Sequence, residues 1–303
     1  MTAPRPLPSG VRRYDMLAID LDGTLLDPAG RVSARNAEAI ARAREAGVAV
    51  TVCTGRGLAE SQFALRAIGQ EEPVVVAGGS MIACPRTEAT LHRFPMHPTL
   101  SSRLVDAILD HGHAALVLKD RHAAGYDYLV VTGEQQHALD PTTQWWFETM
   151  CVNVRLARSI AEDEHPDHTV RVGACARPAS LQGVEAVVRA EFGGLVCYHN
   201  FPAVVEAEKA SDPDAVHILE LFDARADKWS AIRHLADERG IGASRICAIG
   251  DQVNDLTMIR GAGLGVAMGN AIPDVRAAAA RITRSNAEDG VAWAVERVLW
   301  GEW

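Results

Sequence analysis

Short apolar runs alternate along the chain with stretches that carry helix signals. Met16-Leu17-Ala18-Ile19, Val48-Ala49-Val50-Thr51-Val52 and Pro73-Val74-Val75-Val76 are the first three runs. Continuous apolar runs of this length fit strands covered on both faces, as in a parallel sheet. Between the first two, Ser33 is placed to cap a helix carrying Ile40, and Gly47 to stop it. A second helix is predicted after Arg56, to about Ile68. This β-α-β-α-β order predicts a doubly wound sheet with right-handed crossovers. The same texture returns near the C-terminus in Ile246–Ile249, Leu264–Ala267 and Arg281–Thr283, with a helix opening near Pro273.

Between residues 83 and 215 the texture changes. Strand-like runs at 115–118, 128–131, 170–173 and 195–198 mix with helical stretches and polar loops. The expected organisation is α/β: a doubly wound, mostly parallel Rossmann-like core sheet formed by residues 1–82 and 216–303, with an α+β module inserted at 83–215. The length of 303 residues agrees, since domains typically run to about 100–200 residues. There are no repeats or low-complexity tracts.

Composition narrows the class. A net charge of −9, with no basic stretch, argues against a nucleic-acid partner. No apolar run approaches the roughly 18 residues of a membrane span, and the arginine-bearing start lacks a signal-peptide core, so a cytoplasmic protein with a loose N-terminal arm is expected. The six cysteines (53, 84, 151, 175, 197, 247) form no Cys-x-x-Cys and are read as free, mostly buried thiols of a reducing compartment.

The chemistry gathers where apolar strands end. Met16–Ile19 runs into Asp20-Leu21-Asp22-Gly23-Thr24. Asp20 can finish the strand while Asp22 lies on the loop beyond it. Two carboxylates so close repel each other unless a cation sits between them or one keeps its proton, so the pair is a metal site, an acid/base pair, or both. Two other strands end in Cys53-Thr54-Gly55-Arg56 and Gly250-Asp251-Gln252-Val253-Asn254-Asp255. Open parallel sheets bind ligands beyond the carboxyl ends of their strands, so three such loops on adjacent strands would meet at one edge. Asp20, Asp22 and Asp251 offer hard oxygen ligands suited to Mg²⁺. Thr54, with Gly55 letting the backbone come close, suits an oxygen-rich anion at the next helix start.

Lysine use adds a fourth element. Of 30 basic residues only Lys119, Lys209 and Lys228 are lysines, so a lysine can mark a place that wants a compact charge. Lys228 opens a predicted helix after the strand His217–Leu221, where a cation opposes the macrodipole and calls for compensating anions.

In this order the motifs resemble those of the haloacid dehalogenase superfamily of phosphohydrolases, and its Cof-type branch in particular, over almost the whole chain. The resemblance implies that Asp20 is the nucleophile and Asp22 the general acid/base. It makes Thr54 the second motif, Lys228 the third, and Gly250–Asp255 the fourth. Gly265-Val266-Ala267-Met268-Gly269-Asn270-Ala271 and Ser285-Asn286-Ala287-Glu288-Asp289-Gly290-Val291 are also similar to Cof-type sequences. The inserted module corresponds to the α+β cap of this branch, which sets substrate specificity. Two departures stand out: Ala77-Gly78-Gly79-Ser80 replaces the usual Asn-Gly, and Asp227 rather than Gly precedes Lys228.

The implied activity is hydrolysis of small phosphorylated metabolites, foremost sugar phosphates, through an aspartyl-phosphate. Mg²⁺ would be held by Asp20, Asp251 and the Asp22 carbonyl. Thr54, Gly55, Lys228 and Asn254 would hold the phosphate, and Asp255 would orient the metal's surroundings. A phosphotransferase or phosphomannomutase-like mutase on the same site, or a non-catalytic ligand-binding relative, are the alternatives. Three features have open roles. Trp145-Trp146-Phe147 fits a cluster of the module's core better than a sugar platform. His111 and His113 fit loop histidines better than a metal pair. Arg56 fits phosphate contact and pairing with an acidic neighbour equally.

Overall fold

The computed structural model describes residues 13–150, 152–203 and 215–303. The expected N-terminal arm lies largely outside this range, as do Lys209 and Cys151. From the N-terminus, β1 (Met16–Asp20), α1 (Ala34–Glu45), β2 (Ala49–Cys53), α2 (Leu58–Ala67) and β3 (Val74–Val76) alternate. The chain continues through β4 (Met81–Ala83), β5 (Thr90–Arg93), α3 (Pro98–Asp110), β6 (Ala115–Lys119), α4 (Arg121–Ala124) and β7 (Tyr128–Val131). Next come α5 (Pro141–Thr149), β8 (Val154–Ala157), β9 (Thr169–Ala176), α6 (Pro178–Glu191), β10 (Val196–Pro202) and β11 (His217–Asp223). Alternation then resumes with α7 (Lys228–Glu238), β12 (Ile246–Gly250), α8 (Leu256–Gly261), β13 (Leu264–Ala267), α9 (Pro273–Ala278), β14 (Arg281–Ile282) and α10 (Gly290–Leu299).

These elements form two compact units. The first comprises the described residues up to Thr54, then Gln62–Val75 and Lys228–Trp303. Its strands run in the order β14-β13-β12-β1-β2-β3, with parallel pairing. The apolar sequences of β1, β2 and β12 follow from this position: every residue of β1 and β12 is buried. Ser33 caps α1 by accepting the Asn36 N–H at 3.0 Å, and Gly47 ends the segment at φ +75°. Asn36 is itself buried. Its Oδ1 accepts the Ala292 N–H of α10 at 2.9 Å and its Nδ2 donates to the Leu25 carbonyl at 3.4 Å. This satisfied polar pair fixes α1 and α10 against the loop that leaves β1.

The second unit comprises Gly55–Ser61 and Val76–Asp227. Its six-stranded sheet runs β10-β11-β9-β6-β7-β8 and is antiparallel except for the β7–β8 pair. Leu104, Ile108, Val117, Val131, Val172, Leu181, Val188, Leu219 and Leu221 form a core of their own between this sheet and helices α3 and α6. Each such side chain contributes about 1.5–3 kcal/mol by leaving water.

The contacts divide the chain elsewhere than at the expected 82/83 and 215/216. Strand β11 was expected with the core sheet, yet it pairs antiparallel with β9 and β10, because Leu219 and Leu221 complete the second unit's core. The hairpin of β4 and β5 also belongs to the second unit. The thiols differ in part from expectation as well. Of the five described cysteines, all free, Cys53 and Cys247 are buried while Cys84, Cys175 and Cys197 are partly exposed. Among the described residues no helix is long and apolar enough to cross a membrane.

Candidate active site

In the first unit β1 lies between β12 and β2, so three motif-bearing loops leave neighbouring parallel strands at the same end. Asp20 is the last residue of β1, and the chain then turns sharply. Asp22 is extended at φ −77°, Gly23 is left-handed at φ +73°, and the Leu26 N–H closes the turn on the Leu21 carbonyl at 2.9 Å. Only glycine fits position 23: a Cβ there would lie 2.4 Å from Asp251 Oδ2, and the backbone conformation is one that other residues rarely adopt. Gly250 is constrained likewise, since a Cβ would meet Asp255 Cγ at 2.6 Å. The glycines of both motifs thus make room for carboxylates.

Lys228 is fully buried at the start of α7 and bridges two of them. Its Nζ donates to Asp20 Oδ1 at 2.5 Å and to Asp255 Oδ1 at 2.6 Å. These are the anions that a cation at a helix start calls for. Asp255 uses its other oxygen to accept the Asp251 and Gln252 N–H groups at 2.8 and 2.9 Å. Asp251 Oδ1 accepts the hydroxyl of buried Thr24 at 2.7 Å. Thr24 is the site residue to which the sequence reading gave no role; the only signal was its place after Asp-Gly in the first motif.

The electrostatics follow from burial. Burial first, then the charge of Asp255, pushes the Asp20 carboxyl above the usual range, although Lys228 pulls the other way. Asp251 is raised well above its ordinary value by burial and by Asp20 and Asp255. Burial alone would lower the Lys228 pKa; the two carboxylates outweigh it and raise it. Three buried carboxylates, one oxygen of each within 4.8 Å of the others, face a single ammonium among the described residues. That donor set, hard and anionic in excess, fits a divalent cation. Asn254 Oδ1, a buried acceptor with no hydrogen-bond partner, fits the same need. Asp255 already accepts from Lys228 and two amides, which favours Asp20 and Asp251 as the carboxylates that would meet a cation.

The other expected residues are placed as follows. Thr54 is buried just beyond β2 in the first unit, where its N–H donates to the Val75 carbonyl at 2.9 Å. Gly55 groups with the second unit, and its carbonyl accepts Arg171 Nη1 at 2.7 Å. Arg56 lies with its guanidinium 4.7 Å from the Trp146 ring centre. Trp146 Nε1 donates to Glu60 Oε1 at 2.9 Å, and Phe147 packs 5.0 Å from the Tyr128 ring, while Trp145 is exposed. The aromatic cluster therefore packs mainly within the second unit. His111 and His113 bond the Ala107 and Ser180 carbonyls and share no metal-ligand geometry among the described residues. Ala77, at the position of the departure from Asn-Gly, is left-handed at φ +51°, a conformation that asparagine tolerates better.

Comparison with known proteins places these observations. A family model described as haloacid dehalogenase-like hydrolase matches residues 17–295. The 5-amino-6-(5-phospho-D-ribitylamino)uracil phosphatase YwtE of Bacillus subtilis is 30% identical over 95% of this chain and 99% of its own. The pyridoxal phosphate phosphatase YbhA of Escherichia coli is 27% identical over 91% of this chain and 96% of its own. A crystal structure of a haloacid dehalogenase-like hydrolase from Bacteroides thetaiotaomicron superposes with a TM-score of 0.76 at 25% identity, covering 94% of this chain and 99% of that one.

Proposed function

The chain belongs to the haloacid dehalogenase-like hydrolases, and from that premise we propose that it is a Mg²⁺-dependent phosphatase of small phosphorylated metabolites, sugar phosphates foremost, working through an aspartyl-phosphate. The observation that carries the reading is the buried cluster of Asp20, Asp251 and Asp255 around one lysine, with Asp22 on the adjoining turn. The named activities of similar proteins, on a ribitylamino-uracil phosphate and on pyridoxal phosphate, support the substrate class.

In this reading Asp20, Asp251 and the Asp22 carbonyl would hold Mg²⁺, which would supply neutralisation of the charge that builds up when a phosphate dianion meets a carboxylate. Asp20 attacks phosphorus while the bond from phosphorus to the ester oxygen breaks. Asp22 gives its proton to the departing oxygen, then takes one from the water that opens the aspartyl-phosphate and releases inorganic phosphate. Lys228 keeps Asp20 ionised and aligned. It joins Thr54, Gly55 and Asn254 in holding the phosphate oxygens, and Asp255 fixes both Lys228 and the loop of Asp251. The second unit serves as the module to which substrate choice is assigned.

The test is phosphate release from p-nitrophenyl phosphate, with Mg²⁺ and with EDTA, by the wild type and Asp20→Asn. Metal-dependent release that vanishes in the variant is expected. A metal-loaded, folded wild type that releases no phosphate from this probe or from a panel of sugar phosphates would sink the proposal.

A further inference from the structure

The two Cof-like stretches around Asn270 and Asn286 have no part in the chemistry above, yet both reach the turn that carries Asp22. Asn270 Nδ2 donates to the Gly23 carbonyl at 2.8 Å, one residue beyond Asp22. Asn286 Nδ2 donates to the Leu26 carbonyl, also at 2.8 Å, where the turn closes. The two asparagines also hold each other, since Asn270 Oδ1 accepts the Asn286 N–H at 2.9 Å. Neighbouring glycines permit the arrangement. The Gly269 N–H donates to the Arg284 carbonyl at 2.9 Å, and a Cβ on Gly269 would lie 2.7 Å from the Ser285 nitrogen. A Cβ on Gly290 would meet the Arg284 carbonyl oxygen at 2.1 Å. The segments after β13 and β14 are thus clasped together, and the clasp holds the middle and the far end of a turn whose Gly23 peptide is in a left-handed conformation.

We infer that Asn270 and Asn286 are positioning residues for Asp22, holding the turn so that its carboxyl meets the leaving-group oxygen. The inference rests on the phosphatase reading above. Asn270 is solvent-exposed, so removing its amide strands no buried polar group and leaves the fold nearly as stable. What it does release is the Gly23 peptide, and with it the placement of the neighbouring acid. Proton transfer from a well-placed acid is worth about 10²–10⁴ in rate, so partial misplacement should remove about tenfold of it.

The experiment compares turnover of glycerol 2-phosphate, whose alkoxide needs a proton, with that of p-nitrophenyl phosphate, whose phenolate does not. Wild type, Asn270→Ala, Asn286→Ala, Asp22→Asn and the double variant Asn270→Ala/Asp22→Asn are measured. Each asparagine variant should lose about tenfold in kcat on glycerol 2-phosphate and under about threefold on p-nitrophenyl phosphate, with KM little changed. In the Asp22→Asn background Asn270→Ala should add nothing, because its effect runs through Asp22. Equal losses on both substrates, no loss on either, or full additivity in the double variant would overturn the inference while leaving the phosphatase standing. A wild type inactive on both substrates with Mg²⁺, and on sugar phosphates, would overturn both.

Discussion

Replacing Lys228 by methionine keeps most of the side-chain volume and deletes the one charge that reconciles the buried carboxylates. Its Nζ is fully buried, and it bridges Asp20 and Asp255, which are themselves 6% and 0% exposed. No water can take its place without a cavity opening. Breaking a buried ion pair by removing one partner costs about 3–5 kcal/mol, because the surviving charge is stranded. Here two survive, although Asp255 keeps its bonds from the Asp251 and Gln252 amides. In a chain of this size about 3 kcal/mol corresponds to a fall in melting temperature of roughly 5 °C. The loss depends on pH with a definite sign. The folded-state pKa of Lys228 is raised, so its contribution in the wild type is present throughout pH 5 to 8. Asp20 is already raised by burial and by Asp255, and without the lysine it rises further. At pH 5 the variant relieves the site by protonating a carboxylate; at pH 8 it must hold the charges. We expect the deficit, read by thermal melts in EDTA, to be about 5 °C at pH 8 and clearly smaller at pH 5. A variant that melts with the wild type at pH 8 would refute the reasoning, because the lysine could not then be the counter-charge of this cluster.

Asp20→Asn should abolish turnover with the circular-dichroism spectrum unchanged; retained turnover would remove Asp20 from the nucleophile's role. Gly23→Ala forces a side chain to within 2.4 Å of Asp251 Oδ2, so Mg²⁺ affinity by calorimetry should fall at least tenfold, or the protein should fail to fold. Unchanged affinity in a folded variant would mean that Asp251 does not pack on this turn. Because the folded-state pKa values of Asp20 and Asp251 are raised, these groups favour the metal-free fold at low pH and oppose it as pH rises above roughly 4. Mg²⁺ competes with those protons, so its affinity and the melting-temperature gain it gives should both be larger at pH 8 than at pH 6. A pH-independent gain would argue that neither carboxylate binds the ion.

What could be read beforehand, and what could not, follows the range of the interactions. The strands of the first unit are local: five or so apolar residues buried on both faces leave little choice of structure, and β1, β2, β12 and β13 lie within a residue or so of the expected spans. That the three motif-bearing strands lie side by side followed from one rule of sheet topology, and the pairing of Lys228 with carboxylates from its awkward place at a helix start. Strand β11 was legible as a strand, but its partner was not. Its alternating Leu219 and Leu221 suit either sheet, and only the long-range pairing with β9 and β10 decides between them. The role of Thr24 was hidden for a similar reason: its hydroxyl serves Asp251, 227 positions away. Asn270 and Asn286 were visible as motif residues without a chemistry, because what they bind is backbone carbonyl, which every residue carries and no sequence pattern marks. Glycine is the better guide to such contacts. Gly23 and Gly269 each stand where a Cβ would strike a distant segment of the first unit, Asp251 in one case and the Ser285 nitrogen in the other. A glycine in a strand-end loop that stands beside Asp or Asn, as Gly23 and Gly269 do, therefore points to a close approach by distant chain, and the polar neighbour is the residue whose target should be sought there.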